Sequence, residues 1–422
     1  MGSARVRFTR GTVIAMIAAA ALLLVSAFFL LMVYGGKPES VSLPGREETA
    51  PEAEPVQTPS EDRGETPLPA LTATPRPETT AGPERSSFTI AAAGTVNVPR
   101  SIREFAQDTG HYDFSTLFLG LGSTLSDADL SLATMETLAD STQAYDTVNA
   151  PPEVLDALRT LGLDALSLGT EHVLDKGYEG LDHTLSEFVS RGLDALGIRG
   201  GDGLPGTMIG IQGIRVALLG YTYGLDEEGA AQTNKDARGL AALLEKERIA
   251  ADIAAARAAG AEVVILMPHW GIKNRTDTPE SVRQLAGELA QAGADIILGA
   301  HSNVVHEIER LEVTRADGRT YETLICYSLG SLLNDSRAPE NSAGVILRLE
   351  LAYDREERRT VIGEPEIIPL YISRQEEEGR PFWRIVEAEN EASLTGLTAA
   401  ERSAAAQASA IVREALYGED LP

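Results

Sequence analysis

AEVVILMPHWG at residues 261–271 and GADIILGAHSN at residues 293–303 carry the decisive pattern of this chain. Each is a continuous apolar run, residues 263–267 and 296–298, that closes on a small polar group holding a histidine, His269 or His301. Short apolar runs without alternation, each entered from a helix, suit central parallel strands buried on both faces. Ligands of open α/β sheets bind beyond the carboxyl ends of such strands. Two histidines delivered to two such ends are the first sign of a site.

The same unit recurs on either side. A helix, a glycine stop, an acidic or small residue and an apolar strand repeat in LGLDALSLGTEH (161–172), RGLDALGI (191–198), AGAEVVILMPHW (259–270) and AGADIILGAHSN (292–303). Helices are expected at 152–160, 180–190, 248–259 and 279–292, stopped by Gly162, Gly192, Gly260 and Gly293. FTIAAAG at 88–94 reads as a buried first strand ending at its glycine. Gln212 and Gly213 separate two apolar runs as a hairpin turn. Strands at 324–329, 344–351 and 367–372 follow without intervening helices and suggest a second, more antiparallel sheet. Residues 382–386 are expected as a strand at its edge, and residues 397–416 as an alanine-rich helical tail.

Composition limits the function classes. The chain has 422 residues, 43% of them hydrophobic, enough for a substantial core. A net charge of -27 argues against a nucleic-acid binder, which needs a basic face to replace counterions. The single cysteine, Cys326, lies in an apolar run and reads as a core residue, so no intrachain disulfide forms. Residues 13–34 are an apolar stretch long enough to cross a bilayer. Arg5, Arg7 and Arg10 precede it, and the positive-inside rule then places residues 1–12 in the cytoplasm and the remainder outside. A cleaved signal peptide is the competing reading, disfavoured by the length of the run and the lack of a small-x-small cleavage site. Residues 35–85 are rich in Pro, Glu and Thr and poor in large apolar side chains, as expected of a disordered tether. The folded domain is expected over 86–390 and the helical tail over 391–422. The expected location is the cell membrane, single-pass, with the main domain extracellular.

Of the six histidines, His172, His269 and His301 each follow an expected strand. Glu171 and Asp175 flank the first, and His306 and Glu309 follow the third. Clusters of histidine and carboxylate at sheet ends suit divalent metals and acid–base chemistry. No HExxH, paired CxxC, P-loop or GxSxG is present.

With these residues in place the chain resembles the CapA family, the poly-γ-glutamate capsule synthesis proteins. The family run ending in NLE-T corresponds to residues 129–137, with Thr134, Glu136 and Thr137. Its LANNH-x-x-D-x-G segment corresponds to residues 168–177, with Glu171, His172 and Asp175. HWG is intact at His269, Trp270 and Gly271, the HPH block falls at His301, Ser302 and Asn303, and the YSLGN block at residues 327–331. The resemblance spans about 88–383 and implies a calcineurin-like metallophosphoesterase fold, a four-layer α/β/β/α sandwich, preceded here by the transmembrane helix and linker. It implies Glu171, His269 and His301 as ligands of a divalent metal (Mn, Fe or Zn) and His172 and Asp175 as catalytic groups. Glu136, Trp270, Ser328 and Asn303 are the implied substrate contacts, with core packing the alternative reading of Trp270. Implied partners are capsule-synthesis membrane proteins and an anionic polymer.

This chain also departs from the family pattern. The first strand's Gly-Asp is Gly94 and Thr95, and the expected asparagines are Thr134, Thr170, Glu171 and Ser331. Asn303 replaces the second histidine of HPH. Hydroxyls substitute poorly for the carboxylates and imidazoles of a two-metal centre, so the surviving groups suffice for one site at most. Three readings follow: a membrane-anchored protein supporting synthesis, export or attachment of an anionic polymer, an active metal-dependent hydrolase with His172 as general acid, or a noncatalytic binding module. Lys176, Lys273 and Arg275 adjoin the site motifs and can supply local positive charge.

Overall fold

The computed structural model describes residues 85–200, 203–232, 239–377 and 379–417. The anchor expected at 13–34 and nearly all of the linker expected at 35–85 lie outside the described residues. No helix among the described residues is long and apolar enough to cross a membrane.

Strand β1 (Arg85–Val96) and helix α1 (Arg100–Ala106) precede a small ladder of β2 (Gln107–Asp108) and β3 (His111–Tyr112), then β4 (Leu130–Met135). Two helix–strand pairs come next, α2 (Glu153–Leu161) with β5 (Ala165–Ser167) and α3 (Gly177–Ser190) with β6 (Asp194–Leu196). The hairpin of β7 (Gly206–Ile211) and β8 (Ile214–Thr222) leads through α4 (Glu227–Gln232) to α5 (Lys246–Ala258) and β9 (Val263–His269). After α6 (Glu280–Ala292) and β10 (Ile296–Leu298) the chain is mainly β: β11 (Ile308–Thr314), β12 (Thr320–Cys326), β13 (Ser331–Leu333) and β14 (Ala343–Asp354). It ends with β15 (Arg359–Ile362), β16 (Glu366–Glu377), β17 (Arg380–Glu387) and α7 (Ala399–Tyr417).

The strands form two principal sheets. The first has the order β17-β16-β14-β1-β4-β5-β6, with β13 also pairing β1 and β15 pairing β14, and the second has β11-β12-β10-β9-β8-β7. One expectation is corrected here. The carboxy-terminal strands make no sheet of their own: β14 runs antiparallel to β1 and extends the sheet that also holds parallel β4, β5 and β6. The reason is burial, because β1 is covered on both faces and the backbone N–H and C=O groups of both its edges must then find strand partners. A second difference lies in β1 itself, which continues past Gly94 to Val96. A Cβ at Gly94 would sit 2.4 Å from the Gly330 carbonyl oxygen, so glycine there permits a close approach rather than ending the strand.

Side chains alternate along each central strand and so feed two different cores. Val263, Ile265 and Met267 of β9 face the space between the sheets, where they meet Phe88, Ile90 and Leu132 of the first sheet. Val264 and Leu266 face the other way, against Ile249 and Ile253 of α5 and Leu289 of α6. On the outer face of the first sheet, Leu155 and Leu158 of α2 and Phe188 of α3 pack on Ala133 and Leu166. The layers are therefore helix, sheet, sheet, helix, which explains the run of apolar residues in β9 without alternation.

The recurring acidic residue of the sequence unit has a structural task. Asp295, just before β10, accepts a hydrogen bond from the Val264 N–H of the neighbouring strand at 2.8 Å. Asp164 does the same for Ser131 at 3.0 Å, Glu262 for Arg215 at 2.9 Å and Asp129 for Thr89 at 2.9 Å. Each satisfies a backbone donor at the entry of a parallel strand pair, where the ladder alone leaves one unpaired. Gly293 supplies the preceding stop, with φ 122° and its N–H on the carbonyls of Leu289 and Ala290.

Candidate metal centre

The carboxyl ends of the parallel strands in the two sheets meet at one edge of the sandwich. Glu136 lies one residue beyond β4, and Glu171 and His172 lie in the loop after β5. From the second sheet come His269, the last residue of β9, and His301, three residues beyond β10. The backbone at His301 has φ 100°, a conformation that a residue with a Cβ rarely adopts and that costs about 1–3 kcal/mol. The turn thereby brings its imidazole onto the cluster.

The groups converge closely. His269 Nε2 lies 2.7 Å from Glu171 Oε2 and 3.6 Å from Glu136 Oε1. His301 Nδ1 lies 3.1 Å from His269 Nε2 and 3.3 Å from Glu171 Oε1. Glu136, Glu171, His269 and His301 expose only 2%, 4%, 1% and 6% of their surface, so water cannot satisfy them freely. Burial opposes ionisation of Glu171, but hydrogen bonds from His269 and His301 outweigh it and hold the carboxyl well below the usual range. Glu136 is steadied on its other oxygen by Asn97 Nδ2 at 3.2 Å.

A second group forms the rim. His172 Nδ1 is 2.7 Å from Asp175 and 3.4 Å from Asp226, while its Nε2 faces Glu171 Oε1 at 3.6 Å. Burial disfavours the charged imidazole, yet the Asp175 hydrogen bond and the nearby Glu171 carboxylate raise its pKa above the ordinary histidine value. Burial, reinforced by Asp226 and opposed by His172, pushes the Asp175 carboxyl up to about 6. Tyr223 closes the opposite wall, its ring centroid 4.7 Å from that of His301. Burial, with Glu171 and Asp226 adding to it, pushes the Tyr223 phenol up to about 12.

The donor set fits a divalent ion. Glu136, His269 and His301 each offer a ligand atom, all within 4.8 Å of one another, and Glu171 abuts both imidazoles. Glu136 Oε1 is buried and accepts no hydrogen bond although it points at this cluster. Several acceptors facing one another in a buried space, with at most the imidazole protons between them, are best neutralised by a cation. Two imidazoles with carboxylates suit Zn, Fe or Mn.

The structure sorts the residues expected from sequence. Glu136, Glu171, His172, Asp175, His269 and His301 come together. Trp270 does not, and this is a correction: it is 3% exposed and packs with Tyr327 under the second sheet, its indole N–H donating to the Tyr327 carbonyl at 3.0 Å. Strand alternation explains this, since the neighbour of a cleft-facing His269 must face the opposite side. Ser328 is likewise buried within its own loop, its hydroxyl accepting from the Gly330 N–H at 3.2 Å and lying 2.9 Å from Ser302 Oγ. Asn303 holds a left-handed turn at φ 60°, and its carbonyl accepts from Asn341. The departures from the family pattern also line up: Thr95 pairs in register with Ser331 on one side and Thr134 on the other. Three hydroxyl-bearing residues thus lie side by side on neighbouring strands. Asn97, Tyr223 and Asp226 were not singled out from sequence. Tyr223 and Asp226 follow β8 directly, so the rule that sites lie at strand ends, applied to residues other than histidine, would have found them.

The profile of the bacterial capsule synthesis protein PGA_cap matches residues 89–336, more than half of the chain. The chain belongs to this family. Within the PGA_cap family it is 30% identical over 223 residues to the PGA biosynthesis protein CapA of Bacillus subtilis (strain 168), covering 52% of this chain and 54% of that relative. It is 24% identical over 316 residues to the capsule biosynthesis protein CapA of Bacillus anthracis, covering 71% of this chain and 70% of the relative. The chain thus spans about half the length of the Bacillus subtilis relative in that match. Among solved structures it is similar to a phosphatase from Mycoplasma pneumoniae, with 11% identity, TM-score 0.37 and coverage of 67% of this chain and 93% of the other. It is also similar to the calcineurin-like phosphoesterase YfkN from Bacillus subtilis, with 12% identity, TM-score 0.37 and coverage of 77% and 99%.

Proposed function

We propose that this PGA_cap protein supports the making, export or attachment of an anionic capsule polymer, poly-γ-glutamate or a similar chain, through a single-ion centre in a calcineurin-like cleft. The convergence of Glu136, Glu171, His269 and His301 in one buried cluster carries the reading. The Bacillus relatives, named for PGA and capsule biosynthesis, supply the substrate class. A protein held to the outer face of the membrane by residues 13–34 would meet such a polymer as it emerges. Fractionation of cells expressing the full chain, against one lacking residues 1–36, tests that placement, and an unchanged distribution would refute it.

Glu136, Glu171, His269 and His301 would hold a divalent ion, which would supply Lewis acidity toward a phosphoester or amide bond. The remaining work belongs to the chain. Asp175 holds His172 by Nδ1 and so turns Nε2 toward the cleft, and the raised pKa keeps a proton there for a leaving group. His172 and Tyr223, the latter 51% exposed, stand at the open side of the dry interior.

A binding module without turnover is the second reading, favoured by two observations. Hydroxyls occupy the register positions of Thr95, Thr134 and Ser331, and His269 Nδ1 is buried without the hydrogen bond that commonly orients a metal-bound imidazole. Elemental analysis of the full-length protein, purified without chelator, separates the two. Stoichiometric Mn, Fe or Zn that is lost in His269→Ala and His301→Ala is expected. No retained metal after reconstitution would sink the single-ion centre and leave the binding module.

A further inference from the structure

At the opposite edge of the second sheet, five arginines converge on a cavity of about 430 Å³. It sits where β9 and β10 begin, roughly 20 Å of strand away from His269 and His301. Arg257 and the segment preceding Asp295 form its floor. Arg315 and Arg319 reach in from the β11–β12 turn, and Arg358 and Arg359 from the β14–β15 turn. Such a grouping runs against the composition of the chain, in which Asp and Glu number 63 and Lys and Arg 36.

The carboxylates nearby are already engaged. Asp295 takes Arg257 at 2.6 Å and Arg315 at 3.1 Å, besides the Val264 N–H. Glu262 takes the Arg215 N–H at 2.9 Å and Arg355 at 3.5 Å, and Asp317 accepts from the Tyr321 hydroxyl. Arg319 meets Glu357 at 3.2 Å, but both are well exposed and such a pair holds weakly. Arg358 and Arg359 form no ion pair among the described residues, and both are exposed. Two of the guanidinium groups also lie over one ring, with Arg315 4.3 Å and Arg319 5.7 Å from the Tyr321 centroid. Planar, preordered guanidinium groups around a concave space match oxyanions bidentately.

We infer that this cavity binds a segment of an anionic chain carrying closely spaced oxyanion groups, carboxylate or phosphate, independently of the metal centre. Asp295 holds Arg257 and Arg315, so the charge left for a ligand is that of Arg319, Arg358 and Arg359, and their spread around the cavity suits several charges in succession. The site lets the protein hold a polymer at a second point while its cleft is free.

The test is fluorescence anisotropy of the full-length protein with a labelled short glutamate oligomer and, separately, a labelled short polyphosphate, in chelator and at low and physiological salt. At least one probe binds, more weakly at higher salt. Arg358→Glu with Arg359→Glu, on an exposed turn, weakens binding about tenfold or more, and Arg319→Glu alone weakens it in the same direction. His301→Ala leaves it unchanged. Preference for the glutamate oligomer identifies a polycarboxylate, and preference for polyphosphate a phosphate-bearing chain; either supports the site. Binding of neither probe overturns it, as does binding that survives both arginine variants or is lost in His301→Ala alone.

Discussion

Glu136→Gln should reverse its effect on stability according to whether a divalent ion is present. In the protein alone, Glu136 Oε1 is buried and accepts no hydrogen bond, while Oε2 is held by Asn97 at 3.2 Å. A buried acceptor left unsatisfied costs about 1–3 kcal/mol. Glutamine keeps an oxygen for Asn97 and turns an amide N–H2 into a cluster whose Glu171 carboxylate can accept it. In chelator the variant is therefore expected to be more stable than the parent by ~1–2 kcal/mol. An ion at a hundred times its dissociation constant stabilises the parent by about 2.7 kcal/mol. The variant, with one ligand replaced by a neutral amide, gains much less, and the order of stabilities inverts. Urea unfolding of both proteins, in chelator and with Mn or Zn, measures all four states, with equal m-values as the check that the same surface unfolds. A variant less stable than its parent in chelator would refute the account of the unsatisfied oxygen. Equal metal stabilisation of both proteins would refute the ligand assignment.

Other outcomes follow from particular contacts. Asp252 accepts from Arg199 at 3.0 and 2.6 Å in a nearly dry pair, so Asp252→Ala strands a buried guanidinium and should cost ~3–5 kcal/mol in urea unfolding; a loss under ~1 kcal/mol would refute this. His306 is buried between the Arg275 carbonyl at 2.7 Å and Thr278 Oγ1 at 3.1 Å, and burial lowers its pKa below the ordinary 6.5. The unfolded chain then binds the proton more readily, so stability is full above about pH 6.5 and declines as pH falls toward the folded pKa. Unfolding curves between about pH 5 and 7 should show that slope reduced in His306→Asn. A Cβ at Gly299 would lie 2.1 Å from the Tyr327 carbonyl oxygen and 2.5 Å from Trp270 Nε1, so Gly299→Ala should cost about 2–3 kcal/mol and shift the tryptophan emission; an unchanged melt would contradict the core placement of Trp270.

Much of this architecture was legible in local patterning. The apolar runs of β9 and β10, the glycine stops and the acidic residue between them are properties of short segments, and the structure returns them within a residue or two. His172, His269 and His301 could be assigned to strand ends for the same reason. For Trp270 the sequence left two readings, cleft contact and core packing, and its burial under the second sheet decides for the core.

Other features depend on contacts between distant parts of the chain. Nothing local says that β14 pairs with β1 and β16 with β14, because an apolar strand pairs equally well with any edge until the competing strands have been buried. Nor does spacing reveal that Glu136 and Glu171 descend from one sheet while His269 and His301 rise from the other. The five arginines of the rear cavity come from segments as far apart as Arg257 and Arg359, each an ordinary surface charge in sequence. Residue type and periodicity thus determined the strands, the stops and the histidines by themselves, because those depend on the preferences of neighbouring residues. The pairing of the sheets, the convergence of the ligands and the shape of both candidate sites required the whole fold, because burial is decided between segments and not within them.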